Sequence, residues 1–506
     1  MKNKFYISLL LSAMLVGGFI SCSDDFLDGV QTDVIRDSQI QQGDPVRSAR
    51  ALLDGAYKNL FNPTANILRT SHDDFGLRAI QLATDLMADD FVLLAPSAGG
   101  GWCRFDYEND NRLLNYRRPT NTWRQLYNLI LSTNDALRIL ERIETSSAAL
   151  DRVEGELRGM RAFSYFKLIN LYQQPYNVNK NAPGVPIRDI DISKPGRNTV
   201  SEVYDLILSD LFLAYDLLEG KGMSSAVALS EYSVAGMLAR VLSFVNDYPN
   251  QWQEVAKFAG IAAQGAPLMN TQAQFRSGLN SITVPEVLWG SSINAETTTF
   301  FASFFSHLDP FGSGYGGDLG SFKGVTSVLY DKMDPADLRL SWFSDGTSAI
   351  YDRRPYSTAG LQGVLPKYAS LKFTEFSRRN FTADYIYMRS SEFFYVQAEA
   401  LFFAGNEGGA RTALETVMKT RIEGYSAAAL SGTALLNEIR FHKRIDTWGD
   451  GVRLFDMKWR GEAMDRTGTN HAVVAIMKLD PNPMEWIFQI PQAEMDANDA
   501  ITENNP

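Results

Sequence analysis

The sequence predicts a mainly α-helical protein in which tetratricopeptide-like helix pairs form a superhelical scaffold, interrupted by a loop-rich region with minor β structure. Apolar residues recur at three- and four-residue spacing behind clear helix caps, and small residues occur where helices would touch. Helical periodicity then fades between about residues 265 and 380. No strict repeat of the roughly 34-residue tetratricopeptide length is present, so an irregular all-α bundle is the alternative.

The chain begins with the three zones of a secretory signal peptide, predicted to span residues 1–21. Two early lysines precede the apolar stretch Phe5–Ile20, which is followed by Ser21 and Cys22. That stretch is shorter than a membrane-spanning helix needs. Ser21-Cys22 resembles the end of a bacterial lipobox, which predicts that Cys22 becomes the acylated N-terminus. Ordinary cleavage nearby, with Cys22 lost, is the alternative.

Helix caps are clearest in the first half of the chain. Thr199 and Glu202 form a predicted capping box that opens a helix running to Gly220. Ser230 is predicted to cap the next helix, and residues 252–263 are predicted to be helical again. The first of these helices has one apolar face, made of Val203, Leu206, Ile207, Leu211 and Ala214.

Two further stretches predict pairs of neighbouring helices. The pairs are 122–143 with 150–172, and 390–404 with 408–421.

Residues 22–506 are predicted to form a single domain. Its helical scaffold covers about 45–265 and 385–460, and a loop-rich insertion covers about 266–384. Gly, Ser, Pro and aromatic residues dominate that insertion, so ligand-contacting loops are expected there.

Composition excludes two classes of protein. The net charge is −11 and no run of Lys or Arg follows the first residues, so nucleic acid is not an expected partner. The chain has only 2 Cys, which excludes a disulfide framework, and Cys103 is interpreted as a small buried hydrophobe. Aromatic residues make up 12% of the chain, which leaves some for surfaces that stack on a ligand.

The sequence contains no recognisable catalytic constellation. Metalloprotease, serine hydrolase and Walker A patterns are absent, and the 4 His have no metal-binding spacing. Gly312–Gly317 fits G-x-G-x-x-G but lacks the flanking strand and helix, so it is interpreted as a flexible loop. The acidic pairs Asp73/Asp74, Asp89/Asp90 and Glu108/Asp110 are assigned solvated loop or cap roles by default. The prediction is a non-enzymatic protein without cofactor or metal.

Seven segments, in order, resemble the SusD/RagB family. They are Cys22–Asp28, Ala51–Tyr57, Trp123 to Asn134 with W-x₃-Y-x₂-I-x₃-N spacing, Glu156 with Arg161–Phe166, Arg389–Ala400, Gly449–Trp459 and Ile490–Pro506. Asp450 stands where the family usually has Glu, and Met388 where it usually has Leu.

The resemblance implies an outer-membrane lipoprotein, anchored by acyl chains such as palmitate on Cys22 and facing outwards. It also implies a partner, a SusC-like TonB-dependent transporter, to which the protein delivers captured oligosaccharide or polysaccharide. Peptide cargo, as for RagB-type members, is the alternative, and a surface glycoside hydrolase is a third hypothesis.

Charged residues inside the matching helices are interpreted as structural. Arg389, Glu392, Glu399 and Arg453 are predicted to form a buried ion-pair network between helices rather than to contact a ligand.

The ligand site is predicted on two glycine-flanked loops. Trp102 and Tyr315 are the expected stacking platforms, and Arg104 and Asp106 the expected hydrogen-bonding residues. Trp102 fixing its loop onto the helices is the alternative.

Overall fold

Helices carry most of the fold, and the loop-rich insertion contributes short strands and turns, as predicted. The computed structural model describes residues 45–62, 72–94, 111–188, 195–299, 301–347, 364–375, 380–472 and 477–506. Within these ranges, the helices of eight residues or more are α1 (Pro45–Lys58), α2 (Leu77–Leu86), α3 (Arg117–Leu140), α4 (Ala148–Tyr172), α5 (Val200–Leu218), α6 (Glu231–Leu242), α7 (Gln251–Ala263), α8 (Ser390–Phe403), α9 (Glu407–Met418), α10 (Gly432–Asp446) and α11 (Arg453–Arg460). None of the described helices is both long and apolar enough to cross a membrane.

The strands are short and pair antiparallel, two by two. They are β1 (Phe91–Leu93) with β3 (Lys323–Val325), β2 (Val287–Ser291) with β4 (Tyr385–Arg389), and β5 (Met464–Asp465) with β6 (Lys478–Leu479).

Seven helices, α3 to α9, form an array in which each packs against the next. The long connection between α7 and α8 holds the insertion, yet α8 packs directly on α7. The predicted tetratricopeptide-like pairing of helices is therefore confirmed, and the array continues across the insertion. Burial of the facing apolar stripes stabilises such an array, because each helix removes its neighbour's apolar face from water.

The capping signals work as predicted. The Thr199 hydroxyl accepts a hydrogen bond from the Glu202 amide at 3.2 Å, and the Glu202 carboxylate accepts one from the Thr199 amide at 2.7 Å. Ser230 caps α6 in the same way through Ser233. Each box satisfies amide groups that have no partner inside the helix, so these two helices begin where the sequence places them.

Strand pairing closes the insertion at its two ends. Val287 lies opposite Arg389 in the β2–β4 pair, and the Ser390 amide donates to the Glu286 carbonyl at 2.7 Å. The chain thus returns beside its point of departure, directly before α8. This register brings the side chains of Glu286 and Arg389 together in the protein interior.

The Phe393 ring of α8 packs directly against Gly236 of α6. A Cβ atom built on Gly236 would lie 2.4 Å from Cζ of Phe393, whose side chain is fully buried. The ring has no room to retreat, so only glycine fits at this contact.

We expect Gly236→Val to lower the free energy of unfolding by about 1–3 kcal/mol, because the added methyl groups overpack this contact. Gly408→Val is the matched control, since Gly408 is an exposed helical glycine whose only neighbour near the added Cβ is Asn406, at 3.8 Å. It should change stability by about 0.5 kcal/mol or less. Urea unfolding of the two variants checks this, and equal losses would contradict the close approach.

Candidate functional site

The predicted anchor and most predicted ligand contacts lie outside the described residues, and they stay predictions. These residues are Cys22, Trp102, Arg104 and Asp106; Cys103 and the acidic pair Glu108/Asp110 also lie outside the described residues. The chain enters the first of the two predicted loops at Leu94, whose amide donates to the Phe322 carbonyl at 2.9 Å. Phe322 lies only seven residues after Tyr315 in the sequence. Leu94, at the start of the first loop, therefore contacts the segment that directly follows the second loop.

Tyr315 is buried rather than exposed, which corrects the prediction of a stacking platform. Its side chain is 1% exposed, and its ring stacks on His307 with the centroids 4.5 Å apart. The phenol oxygen also contacts Nδ1 of His72. Because both the ring and the hydroxyl are engaged inside the protein, neither face of the ring is open to a ligand.

The exposed ring at this surface is Phe301, which is 50% exposed and lies 6.1 Å from the Tyr315 ring. The sequence does not single out this ring. It lies in a Phe-rich segment where nothing in the pattern distinguishes the outward-facing ring from the buried ones, Phe304 and Phe305.

The glycine-rich segment Gly312–Gly317 is a loop, as predicted, but a buried one. A Cβ atom on Gly317 would lie 1.9 Å from the Gly312 carbonyl oxygen. The glycines therefore let the backbone pack against itself, which corrects the interpretation that they let it approach a ligand. A short helix, Phe304–Leu308, and not a strand, precedes the loop, so the nucleotide-binding arrangement is absent from this described segment.

The buried ion-pair network is confirmed, and Asp446 lies at its centre. The Asp446 carboxylate accepts from Nε of Arg421 at 3.0 Å and from Nη1 of both Arg339 and Arg389 at 3.3 Å. Glu286 pairs with Arg389 at 2.7 Å and with Arg421 at 2.6 Å. The three guanidinium groups hold the pKa of Asp446 well below its usual range, against the effect of burial.

The other charged residues that the sequence assigned to the network are also paired. Glu392 binds Arg240 through two hydrogen bonds, and Glu399 bridges Arg440 and Arg460. Arg453 binds Asp89 at 2.7 Å. These contacts join α6, α8, α10 and α11, so their role is to hold helices together.

Two acidic pairs considered as catalytic carboxylates are also ion-paired. Asp73 accepts from Arg117 at 2.8 Å, and Asp89 and Asp90 together face Arg444 and Arg453. Asp73, Asp74 and Asp90 are buried and Asp89 is half-buried, which corrects the default of solvated roles. Within the described residues, no group of three or more His, Cys, Asp or Glu side chains is placed to hold a metal ion.

A narrow cleft, with an enclosed volume of about 30 Å³, lies between α4, α6, α7, α8, α10 and α11. Trp252 and Trp459 line it with their ring centroids 5.5 Å apart, and Phe403 lies 4.7 Å from Trp252. Both tryptophans are partly exposed, and Phe403 is 37% exposed. The three rings therefore mark the opening of the cleft to solvent.

The inner wall of the cleft carries charge. Lys443 binds Asp456 at 2.8 Å, and Arg240 binds Glu392. Lys167 also lines the cleft and is 4% exposed, with its Nζ atom 3.8 Å from the centroid of the Phe455 ring. Burial lowers the pKa of Lys167 to about 7.

The sequence does not reveal this cleft, because its residues come from six helices spread over almost 300 positions. One local signal was present: Lys167 interrupts the apolar run from Tyr165 to Ile169 in α4. A single cation on a buried helix face indicates either a paired charge or a polar site.

Two family models match the sequence. A model described as "Starch-binding associating with outer membrane" matches residues 96–242, and the SusD family model matches residues 354–506. Together they span more than half of the chain. A sequence comparison with curated proteins finds no significant match.

Solved structures match nearly the whole chain. A SusD-like carbohydrate-binding protein from Bacteroides vulgatus has a TM-score of 0.74 at 21% identity, covering 90% of this chain and 97% of that one. A SusD superfamily protein from Bacteroides thetaiotaomicron has a TM-score of 0.70 at 21% identity, covering 91% and 99%. Surface glycan-binding protein A from the same organism, solved with laminarihexaose, has a TM-score of 0.66 at 16% identity, covering 91% and 99%.

These neighbours establish the fold, and the two family models agree with it in both halves of the chain. The fold and the two matched segments agree, and the chain belongs to the SusD/RagB family.

Proposed function

We propose that this protein is a surface-exposed, lipid-anchored binding protein of the outer membrane. It captures oligosaccharide or polysaccharide and delivers it to a SusC-like TonB-dependent transporter. The family match carries the proposal, supported by a relative of the same fold that was solved with a bound glucan oligosaccharide. Lipid attachment at Cys22 keeps the protein at the membrane, because each buried CH₂ of an acyl chain adds about 0.8 kcal/mol.

The chemistry that this function needs is recognition without bond cleavage. Sugar rings present apolar C–H faces that stack on aromatic side chains, and hydroxyl groups that pair with Asp, Asn and Arg. Two of the acidic pairs that a hydrolase could use, Asp73/Asp74 and Asp89/Asp90, include carboxylates committed to arginines. A carboxylate held this way is a poor general acid, since the cation stabilises its charged form.

The proposed glycan contacts lie on the loop surface. Trp102 is the proposed stacking residue of the first loop and Arg104 and Asp106 are the proposed hydrogen-bonding residues, while the exposed Phe301 takes the place of the buried Tyr315. The exposed Phe301 ring offers an apolar face of the kind on which the C–H groups of a sugar stack.

The proposal is tested by migration of the purified protein through gels containing laminarin or soluble starch. We expect retarded migration and no new reducing ends. New reducing ends would make the protein a glycoside hydrolase. Binding of peptides but of no glycan would establish the alternative cargo.

Trp102→Ala and Phe301→Ala should each weaken glycan binding by about 1–3 kcal/mol, by analogy with the loss of an aromatic stacking platform for nucleic-acid bases. Thermal stability should stay near wild type. Leu131→Ala is the control, because Leu131 is a similarly exposed apolar residue, 42% exposed, on α3. If both aromatic variants bind the glycan as Leu131→Ala does, the loop surface is not the site.

The anchor and the partner are tested together in the native membrane. Wild-type protein should be recovered in the membrane fraction with an acylated Cys22, and detergent extraction should co-purify a much larger β-barrel protein. Cys22→Ser should leave the membrane fraction. Recovery of wild-type protein in the periplasm would contradict the anchor, and recovery always without a partner would contradict the delivery role.

A further inference from the structure

Lys167 is the one cation lining the cleft that has no carboxylate bonded to it among the described residues. Its Nζ atom has aromatic contacts, at 3.8 Å from the Phe455 centroid and 5.7 Å from the Phe163 centroid. No hydrogen-bond acceptor within the described part of the chain reaches it. Arg240 and Lys443 are neutralised by Glu392 and Asp456, so the cleft keeps one unmatched positive charge.

An ammonium group in this position is costly. It has three donors, and removing them from water without an acceptor is unfavourable. The ring faces of Phe455 and Phe163 offset part of this cost by cation–π attraction. An apolar side chain of the same length would fill this position without the cost of burying a charge. The lysine therefore indicates that the charge has a function.

We propose that this cleft binds a small carboxylate that carries an apolar ring face, of the hexuronate type. The carboxylate would accept hydrogen bonds from the Lys167 ammonium, and the ring would lie against Trp252 and Trp459. The site shares no residue with the proposed loop surface, so the two proposals stand or fall separately.

The carboxylate is favoured over other groups by charge and by size. One negative charge neutralises the single unmatched cation, whereas a dianion would leave an unpaired charge in a buried site. Hydrogen bonds between two charged groups are about twice as strong as neutral ones, so a sugar hydroxyl is the weaker partner. The enclosed space of about 30 Å³ has room for about two water-sized groups, such as the two oxygens of a carboxylate, so the ring stays at the mouth of the cleft.

The pH dependence of binding follows from the groups that face Lys167. Arg240 on α6 disfavours the charged lysine, while Glu392 on α8 and Asp85 on α2 favour it, and burial outweighs all three. Burial also raises the pKa of Asp85 to about 8. The Lys443–Asp456 pair and the Glu399 carboxylate face the cleft from α10, α11 and α8 with their charges already paired. Lys167 is charged below pH 7, so carboxylate binding should be stronger at pH 6 than at pH 9.

The experiment titrates full-length mature protein with glucuronate and, separately, with glucose, following tryptophan fluorescence and heat. We expect glucuronate to bind at least tenfold tighter than glucose at pH 6. Lys167→Met should weaken glucuronate binding roughly 10- to 100-fold without affecting laminarin binding. Trp252→Ala should reduce both the affinity and the fluorescence change.

Lys257→Met is the matched control, because Lys257 also lies over a phenylalanine ring but is exposed to solvent. It should bind glucuronate as wild type does. The proposal is overturned if wild-type protein binds neither sugar at millimolar concentration, or both equally, or if Lys167→Met binds glucuronate unchanged. Laminarin binding is measured on the same samples. Loss of glucuronate binding alone would contradict the cleft proposal, and absence of laminarin binding alone would contradict the proposed function.

Discussion

Asp446→Asn is expected to lower the free energy of unfolding by about 3–5 kcal/mol, because it removes one partner from a buried ion-pair network. The side chains of Asp446, Arg339 and Arg421 are all fully buried. Asparagine keeps the shape of the side chain but loses the charge. The three guanidinium groups that bind Asp446 would then lose one of their carboxylate partners. An uncompensated charge is most costly in the protein interior, where water cannot solvate it.

The matched control is Asp331→Asn, which removes the carboxylate of an exposed pair. Asp331 binds Lys367 at 2.9 Å, and both side chains are nearly half exposed. Such a pair contributes about 0–1 kcal/mol. Urea unfolding at pH 7 compares the two variants. Similar losses in both would mean that the network is not what holds α10 to the insertion.

The Asp446 effect should also depend on pH in a defined direction. Its folded-state pKa is depressed, so the stabilisation is fully present above the usual carboxyl pKa and is lost as pH falls below about 4. The difference between wild type and Asp446→Asn should therefore shrink between pH 5 and pH 3. A difference that stays constant over this range would contradict the depressed pKa.

Lys167→Met is expected to have a higher free energy of unfolding than wild type at pH 6. This difference should shrink as pH rises. The folded-state pKa of Lys167 is lowered from 10.5 to about 7 by burial. Below pH 7 the folded and unfolded chains both hold the proton, so the cost of burying the charge is fully present. Between about pH 7 and 10.5 only the unfolded chain binds it, and wild-type stability rises with pH.

The expected change in the stability difference between pH 6 and pH 10 is roughly 3–5 kcal/mol, from about 1.4 kcal/mol for each unit of pKa shift. Asp85 titrates in the same range, because burial raises its pKa to about 8, so Asp85→Asn is measured alone and combined with Lys167→Met. Lys257→Met, at an exposed lysine, should show no such pH dependence. A pH-independent Lys167→Met difference would show that the buried lysine keeps its usual pKa.

Features whose causes lie close together in the sequence were predictable. The Thr199–Glu202 capping box spans three residues, and its backbone geometry follows from those residues alone. The predicted helix 150–172 corresponds to α4, and the predicted helix 390–404 to α8, each within two residues at either end. Periodic apolar faces separated by short loops pack against each other, so the helix pairs were predictable too.

The charged network was predictable in kind but not in its pairings. The sequence predicts that Arg389 and Arg453 are buried and ion-paired. Their carboxylate partners, Glu286 and Asp89, lie 103 and 364 residues away. Which carboxylate meets which guanidinium depends on strand register and on how α2, α10 and α11 pack, and no local pattern carries that information.

The sequence by itself determined that this chain is helical and where its main helices begin, because caps and apolar periodicity act within one or two turns. Only the tertiary structure decided which aromatic and charged side chains face solvent or a cavity. Tyr315 is buried against His307, Phe301 is exposed, and Trp252 meets Trp459 across 207 positions of the sequence. Exposure depends on what packs against a side chain from elsewhere in the chain. Of two aromatic rings in neighbouring loops, one can therefore be buried and the other exposed to solvent.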